Sequence, residues 1–258
     1  RRVAKRYRAA AARVASSLVQ RHWSAGRGAY VDSVDPITGC QDGRISQHAN
    51  AAMIYWEIAP PDRWAQIISI ITDDSTLRLT ACAPIVPVGE DYDPATHVVR
   101  VNTYFAHFLY GALARAGRLD LALGAMRRHY GPMLATGTET LWESFDPAAS
   151  LCHAFSATPV HQLSAHALGI APIEPGFARF SVSPQLADLT HVSGAYPTPR
   201  GPVSVSWRRT DAGCEGEVQV PPGLIAIPVA AVGHRLVAGA AECSAGTHFL
   251  RFRRDVHE

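Results

Sequence analysis

The spacing of hydrophobic residues changes about two thirds of the way along the chain. Up to about Leu168, apolar residues recur every three or four positions, which is the period of amphipathic helices. From Ile173 onward the period falls to two, which is typical of strands with one buried face. The pattern therefore predicts a helical domain over residues 1–172 and a β domain over residues 173–258.

About six helices are predicted in the first domain. Ser46 is a suitable N-cap for the second helix, Pro60-Pro61 ends it, and Gly117 and Gly169 end two later helices. The predicted helices cover residues 2–22, 46–60, 62–71, 102–116, 119–130 and 157–168. Because short or loop-bearing connections join them, we expect a series of αα-hairpins.

Short strands with closely spaced turns are predicted in the second domain. Apolar residues alternate around Phe180, Val205, Val218 and Phe249. Clusters of Pro, Gly and Asp separate these segments, as expected for turns. The pattern predicts a small antiparallel β-sandwich after the helices.

Composition and charge exclude two classes of partner. The longest apolar run, Leu224–Val232, has nine residues and contains Pro228, whereas a membrane span needs about 20. The net charge is +2, but eight basic residues precede the first acid, Asp32, so the rest of the chain sums to −6. A nucleic-acid-binding protein needs basic residues spread over its folded surface. We therefore expect neither a membrane nor a nucleic-acid partner.

The basic start of the chain has two interpretations. An Arg-rich, acid-free and Ala-rich segment is typical of a surface helix with a solvated basic face, which we favour, but also of an organelle transit peptide. The first residue is Arg, so we expect either processing or a longer parent chain.

The cysteines and histidines predict no metal site and no cofactor. The five cysteines are scattered without a CxxC pair, which argues against a disulfide framework or a zinc site of that type. Free buried cysteines, Cys152 among them, are the expectation, and they favour a reducing, cytoplasmic compartment. The twelve histidines form no HExxH motif, so most are expected to be surface or core residues.

The stretch Thr138–Pro159, TETLWESFDPAASLCHAFSATP, holds the most informative candidates for chemistry. Glu143 directly follows Trp142 in a predicted loop, and His153 follows ten residues later. An indole ring can stack on the apolar face of a sugar while a carboxylate transfers a proton. The alternative is that Trp142 packs in the core and Glu143 caps a helix.

Six segments of the chain resemble bacterial α-L-rhamnosidases of glycoside hydrolase family 78. In chain order they are SQHANAAMIYWEIAP, NTYFAHFLYGALARAGRLDLALGAMRRHYGPML, TLWESFDP, SLCHAFSATPVHQLSAHALGI and PIEPGFARFSVSPQLADL, which AYPTPRGPVSVSW follows. The resemblance implies a mainly α fold, namely part of an (α/α)6 six-hairpin barrel followed by a small antiparallel β-sandwich. It also implies an inverting hydrolase that removes terminal α-L-rhamnose, with carbohydrate as the partner.

The resemblance assigns roles to four residues. Glu143 corresponds to the general base of the Trp-Glu motif, and His153 corresponds to a histidine that contacts the sugar. Trp142 and Tyr104 are expected to line the sugar pocket.

The chain lacks the segment that carries the general acid in this family. No segment of the Asp-Gly-Pro-x-Arg-Asp/Glu-Arg type is present in the sequence. Asp42-Gly43-Arg44 resembles it only in part, because the proline and the acidic residue are lacking. An acidic loop at Glu90, Asp91 and Asp93 is a second possible source of a carboxyl group, although a solvated loop is the simpler interpretation. The chain is also predicted to contain only about six helices, which is half of the twelve in an (α/α)6 barrel.

Three hypotheses follow for the function. The first is an inverting enzyme that removes terminal α-L-rhamnose, either by itself or only as part of a longer chain. The second is an incomplete, non-catalytic carbohydrate-binding remnant of such an enzyme. The third is a different sugar enzyme on the same scaffold, such as a lyase or another exo-glycosidase. The sequence does not indicate the aglycone, the linkage or the oligomeric state.

Overall fold

The computed structural model describes residues 2–79 and 92–255 of the chain. Their contacts divide them into two compact units. The first contains the described parts of Arg1–Ala116 together with Met133–Ser156, and the second contains Gly117–Pro132 together with the described part of Ala157–Glu258. The domain boundary at residue 172 stays a prediction.

The described ranges contain helices at all six predicted positions. They are α1 (Arg2–Arg21), α2 (Gln47–Tyr55), α3 (Pro61–Ile71), α4 (Ala106–Arg115), α5 (Leu119–Ala135) and α6 (Thr158–Gln162). A π-helical turn, Leu163–Ala167, continues α6, so the last helix is irregular. Short 3-10 turns cover Ala154–Ser156 and Pro175–Phe177.

Helix α2 is fixed at its start by side chains that the sequence pattern identified only in part. Ser46 is the N-cap, as predicted, and its hydroxyl accepts a hydrogen bond from the Ala49 amide at 3.1 Å. The buried amide of Asn50 donates to the carbonyls of Tyr30 and Ser46, and its oxygen accepts from the Tyr30 amide. The first turn of α2 is therefore tied to a segment twenty residues earlier.

In the described part of the first unit, five two-residue strands lie between the helices. They are β1 (Trp23–Ser24), β2 (Ala29–Tyr30), β3 (Ile45–Ser46), β4 (Leu77–Arg78) and β5 (Val98–Val99). Strands β1 and β2 form an antiparallel pair. Strand β5, which is buried, pairs in parallel with both β3 and β4. These strands connect distant parts of the chain.

The second unit contains two sheets. Its strands are β6 (Ile170–Pro172), β7 (Arg179–Val182), β8 (His191–Tyr196), β9 (Val203–Thr210), β10 (Gly213–Val220), β11 (Ile225–Pro228), β12 (His234–Ala238) and β13 (Gly246–Arg254). One sheet has the order β12-β13-β10-β9-β8 and is antiparallel throughout. The other has the order β11-β7-β6, and β11 and β7 are parallel.

Side chains from both sheets share one hydrophobic core. Phe180 of β7 and Trp207 of β9 are fully buried in it, and the indole nitrogen of Trp207 donates to the Leu168 carbonyl at 3.0 Å. Glu215 of β10 is also buried, and Arg208 and Arg251 hold its carboxylate. The two ion pairs stabilise the negative charge of Glu215, which would be unfavourable if it were buried without partners.

The predicted mainly α fold class is wrong. Of the described residues, 34% are helical and 25% are in strands, in several sheets. The mainly α class followed from the resemblance to a helical barrel, whereas β6–β13 supply most of the strand residues, and β1–β5 are too short to produce an alternating pattern. Within the described residues, no helix is both long and apolar enough to cross a lipid bilayer.

Candidate active site

The loop that contains Glu143 closes on itself through two backbone hydrogen bonds. The Glu143 amide donates to the Ser150 carbonyl, and the His153 amide donates to the Leu141 carbonyl, each at 2.8 Å. These bonds bring together two residues that lie ten positions apart. The Nε2 atom of His153 lies 4.0 Å from the Oε1 atom of Glu143. The structure thus brings the two main predicted site residues side by side.

The segment that precedes α4 holds the same loop from a second direction. The Thr103 hydroxyl donates to the carbonyl of Glu143. The side-chain amide of Asn102 donates to the Ser144 hydroxyl at 2.8 Å, and its oxygen accepts from the Phe145 amide at 2.8 Å. Neither Asn102 nor Thr103 was identified from the sequence, because their role depends on contacts forty residues away.

The side chains of Glu143 and His153 remain accessible to solvent. Their exposed fractions are 32% and 35%, so a water molecule and a substrate can reach both. A carboxylate in this position can accept a proton from water, and the neighbouring imidazole can hydrogen-bond a hydroxyl group. The fixed main chain restricts where that proton transfer takes place.

Trp142 lies in the core beneath the loop. Its side chain is buried, its indole nitrogen donates to the Thr138 hydroxyl at 3.3 Å, and its carbonyl accepts from the Ser156 hydroxyl. Its environment matches the alternative interpretation of a core residue. The expected contact between Trp142 and a sugar stays a prediction.

Tyr104 lies on the surface and is linked to His153 through a third ring. Tyr104 is 58% exposed, and its ring packs edge-to-face on Phe155 with the centroids 5.6 Å apart. The ring of Phe155 lies 5.0 Å from that of His153. Phe155 was missed, although its position two residues after His153 in a loop was a signal. The structure therefore groups Glu143, His153, Phe155 and Tyr104.

A second imidazole in the first unit was also missed. His48 lies in the first turn of α2, and burial lowers the pKa of its side chain to about 4, so the ring is neutral at neutral pH. Its Nδ1 atom is buried and has no hydrogen-bond partner among the described residues. The Nδ1 atom of His153 is likewise buried and has no hydrogen-bond partner within residues 2–79 and 92–255.

The other acidic candidates have local roles or lie outside the described residues. Asp146 fixes its own turn by accepting a hydrogen bond from the Ala148 amide at 2.9 Å. Hydrogen bonds from Ala95 and Thr96 hold the pKa of Asp93 below its usual value. Such a carboxyl group is poorly suited to donate a proton. Glu90 and Asp91 lie outside the described residues.

Cys152 is exposed, which corrects the expectation that it is buried. It lies on the open side of the loop, directly before His153. Across residues 2–79 and 92–255, no group of three or more His, Cys, Asp or Glu side chains is arranged to hold a metal ion.

A cavity of about 130 Å³ lies elsewhere, in the second unit. Its lining includes Asp120, Arg209, His234 and Arg254. None of the four predicted site residues lines it. All four belong to the first unit.

The C-terminal part of the chain matches a known domain family. Residues 169–230 match the family described as the bacterial α-L-rhamnosidase C-terminal domain. An α-L-rhamnosidase from Alteromonas sp. (strain LOR) is 32% identical to this chain over 130 residues, which are 44% of this chain and 14% of that protein.

Solved structures give the same relationship over more of the chain. The crystal structure of a GH78 family rhamnosidase from Bacillus sp. GL1 has a TM-score of 0.65 and 26% identity, covering 84% of this chain and 22% of that one. The α-L-rhamnosidase of Streptomyces avermitilis, complexed with L-rhamnose, has a TM-score of 0.55 and 18% identity. The match covers 90% of this chain and 22% of that one, and it shows similarity of fold alone.

The resemblance predicted from the sequence is confirmed by these matches. The relatives are glycosidases that act on rhamnosides, as their names state. This chain spans less than a quarter of the length of each of the three relatives.

Proposed function

We propose that this relative of the family 78 α-L-rhamnosidases forms the general-base side of a rhamnoside-hydrolysing site. Glu143 activates a water molecule, which attacks the anomeric carbon of a terminal α-L-rhamnose and inverts its configuration. His153 hydrogen-bonds a hydroxyl group of the same sugar. Tyr104 and Phe155 contact the apolar face of the ring.

The observation that carries the proposal is the pairing of Glu143 with His153. The two side chains are 4.0 Å apart, are both partly exposed, and lie on a loop whose main chain is fixed from two directions. A general base needs such a fixed carboxylate with access to water. The imidazole beside it can hydrogen-bond sugar hydroxyl groups through its ring nitrogen.

An inverting mechanism needs a second carboxyl group to protonate the leaving group. The two carboxyl groups in such enzymes lie about 6.5–9.5 Å apart, on opposite sides of the glycosidic bond. The sequence lacks the acid-bearing segment of the family. In this proposal the acid therefore comes from outside these 258 residues, and full activity requires a longer chain.

The missing acid leads to a specific choice of substrate for the test. A nitrophenolate leaves without protonation, whereas an alkoxide leaving group needs an acid. This chain should therefore hydrolyse a nitrophenyl α-L-rhamnopyranoside slowly and leave an alkyl α-L-rhamnoside intact. The loss of general acid catalysis should cost about 10²–10⁴-fold with the alkyl leaving group and much less with the nitrophenolate.

The variant Glu143→Gln tests the role of the base. It removes the proton acceptor while keeping the shape of the side chain, so hydrolysis of the nitrophenyl substrate should cease. Glu139→Gln is the matched control, because Glu139 is exposed on the same loop. Proton NMR of the first product should give the β anomer of L-rhamnose. Equal rates for the two variants, or the α anomer, would contradict the proposal.

The second candidate function is carbohydrate binding without catalysis. The lack of the acid-bearing segment favours it. Calorimetric titration with methyl α-L-rhamnoside distinguishes the two candidates. Binding without turnover of the nitrophenyl substrate would support the second function and contradict catalysis by this chain alone.

A further inference from the structure

We propose that the cavity of the second unit is a binding site for a small hydroxycarboxylate, such as a uronic acid. The residues that line it all belong to that unit. Arg209 and Arg254 bind the carboxylate, and His234 hydrogen-bonds a neighbouring hydroxyl group. The cavity shares no residue with the candidate active site, so this proposal does not depend on the proposed function.

The strand register places these three side chains on the core face of the five-stranded sheet. Residues directly opposite each other on neighbouring strands share a face. Arg209 of β9 lies opposite Cys214 of β10, and Cys214 lies opposite Phe252 of β13, which is buried in the core. Arg254 follows Phe252 by two residues and lies opposite His234 of β12. This face therefore ends in polar side chains from three strands, next to positions that are apolar.

The cavity combines an apolar floor with charged side chains at its edge. The buried side chains of Leu119, Leu186 and Cys214 line it, whereas Arg209 and Arg254 are exposed to solvent. Its volume of about 130 Å³ is well below the range of about 300–1,000 Å³ for pockets that hold drug-sized ligands. The cavity therefore suits one small ring that packs on the floor and carries its charge at the edge.

Arg209 is held at the cavity by a loop residue with an unusual backbone conformation. Its Nη1 atom donates to the carbonyl oxygen of Ala187 at 3.0 Å, and Ala187 also lines the cavity. The φ angle of Ala187 is 49°, in the left-handed region that alanine rarely adopts. Strain of this kind persists where surrounding contacts fix it, and it is concentrated at functional sites. The other nitrogen atoms of the guanidinium group can still donate to a ligand.

Arg254 and His234 each have a polar group that can bond a ligand. Within residues 2–79 and 92–255, the side chain of Arg254 has no hydrogen-bond or ion-pair partner. The Nδ1 atom of His234 donates to the carbonyl oxygen of Val232 at 3.1 Å, which leaves Nε2 as an acceptor while the ring is neutral. An acceptor beside two guanidinium groups matches a ligand with a hydroxyl group near its carboxylate.

Asp120, an acidic residue of the lining, does not prevent the binding of a carboxylate. Arg118 donates two hydrogen bonds to the Asp120 carboxylate, at 2.9 and 2.8 Å, so its negative charge is compensated locally. Arg209 and Arg254 stay available to a second carboxylate. An inorganic phosphate would satisfy the two arginines but leave the apolar floor uncovered, whereas the ring of a uronic acid covers it.

The experiment measures the binding of D-glucuronate to the full chain by ligand-observed proton NMR titration. Arg254→Gln removes one guanidinium group of the cavity. Arg253→Gln is the matched control, because it removes the same charge one residue earlier on β13, on the opposite face of the sheet. Three further probes separate the contributions. Glucose lacks the carboxylate, cyclohexanecarboxylate lacks the hydroxyl groups, and inorganic phosphate lacks the ring.

The expected result is a loss of glucuronate binding that is specific to the cavity. Arg253→Gln should bind glucuronate as the wild type does, whereas Arg254→Gln should bind it about 10-fold more weakly, since a hydrogen bond to a charged group is lost. Arg254→Lys keeps the charge without the forked geometry and should lie between the two. Glucose should show no binding that depends on Arg254. His234→Phe should remove the preference for glucuronate over cyclohexanecarboxylate.

Four results would overturn the proposal. One is the absence of glucuronate binding to the wild type. Another is equal weakening in Arg253→Gln and Arg254→Gln, which would show a response to overall charge and not to the cavity. Equal affinities of the wild type for glucuronate and cyclohexanecarboxylate would contradict the hydroxyl contact, and tighter binding of phosphate would contradict the carboxylate ligand. Circular dichroism confirms that each variant folds, and the comparison of ligands in the wild type needs no variant.

Discussion

The hydroxyl group of Thr103 donates a hydrogen bond to the backbone carbonyl of Glu143, forty residues further along the chain. Thr103 is completely buried. Because the Glu143 amide is bonded to Ser150, the main chain of the proposed base is fixed on both sides. The position of its carboxylate is therefore set by tertiary contacts and not by the loop alone.

Replacing Thr103 by Val should destabilise the protein and misplace Glu143. The variant keeps the shape of the side chain but leaves a partly buried carbonyl without its donor, which costs about 1–2 kcal/mol of the free energy of unfolding. Urea denaturation measures the loss. Thr103→Ser keeps the hydroxyl group and should lose clearly less. Equal losses in the Val and Ser variants would show that the methyl group, not the hydrogen bond, matters.

His48 should make the stability of the protein depend on pH between about 4 and 6.5. Burial lowers its pKa from 6.5 to about 4 in the folded state, so within this window the unfolded state binds more protons. Stability is therefore fully present above pH 6.5 and falls as the pH falls toward 4. The contribution of this group is on the order of 3 kcal/mol at most.

The test compares the free energy of unfolding at pH 7 and pH 4 in the wild type and in His48→Phe. The wild type should lose more stability than the variant between these values, since the variant has no group at this position to protonate. His191→Phe, on the surface, should behave as the wild type does. An unchanged pH dependence in His48→Phe would mean that the imidazole is not held neutral by burial.

Two glycines of the second unit should respond to alanine in opposite directions. A Cβ atom at Gly216 would collide with the backbone oxygen of Ser206 on the neighbouring strand, so the backbone would have to move. Gly124 lies inside α5, where a Cβ atom would approach only the far end of the flexible Arg128 side chain. Gly216→Ala should cost about 1–3 kcal/mol, and Gly124→Ala should gain about 0.5–1 kcal/mol. Thermal unfolding measures both, and the same sign for both would contradict the packing described.

The cysteines should differ in their reactivity toward a maleimide. Cys152 is exposed beside His153, whereas Cys214 is buried and burial raises its pKa to about 11. Since the thiolate is the reactive form, Cys152→Ser should remove one rapidly labelled thiol and Cys214→Ser should remove none. Mass spectrometry of the native protein after brief labelling gives the count. Rapid labelling of Cys214 would show that its strand opens readily.

Regular elements of the fold could be predicted because local residues determine them. Ser46 caps α2, Gly117 follows the end of α4, and alternation identified β9 around Val205. The strands β3, β4 and β5 could not be predicted, since two residues carry no periodic signal. Their pairing depends on segments up to about fifty residues apart.

The candidate site was predictable where the chemistry is visible in the residue type. Glu143 and His153 stand out because a carboxylate and an imidazole lie in one polar loop. Asn102 and Thr103 did not stand out, because their hydrogen bonds to the loop join residues about forty positions apart. For Trp142 the residue type was misleading. An indole beside a carboxylate suggests a ring that stacks on a sugar, but the side chain of Trp142 is buried in the folded chain.

The division of the chain into two units affects how each unit can be produced separately. The second unit takes Gly117–Pro132 from between two stretches of the first, so a single cleavage point cannot separate them. A polypeptide that begins at residue 157 would lack the part of α5 that belongs to its own unit. To express the second unit as one continuous polypeptide, residues 117–132 would have to be joined to residue 157 by a short spacer.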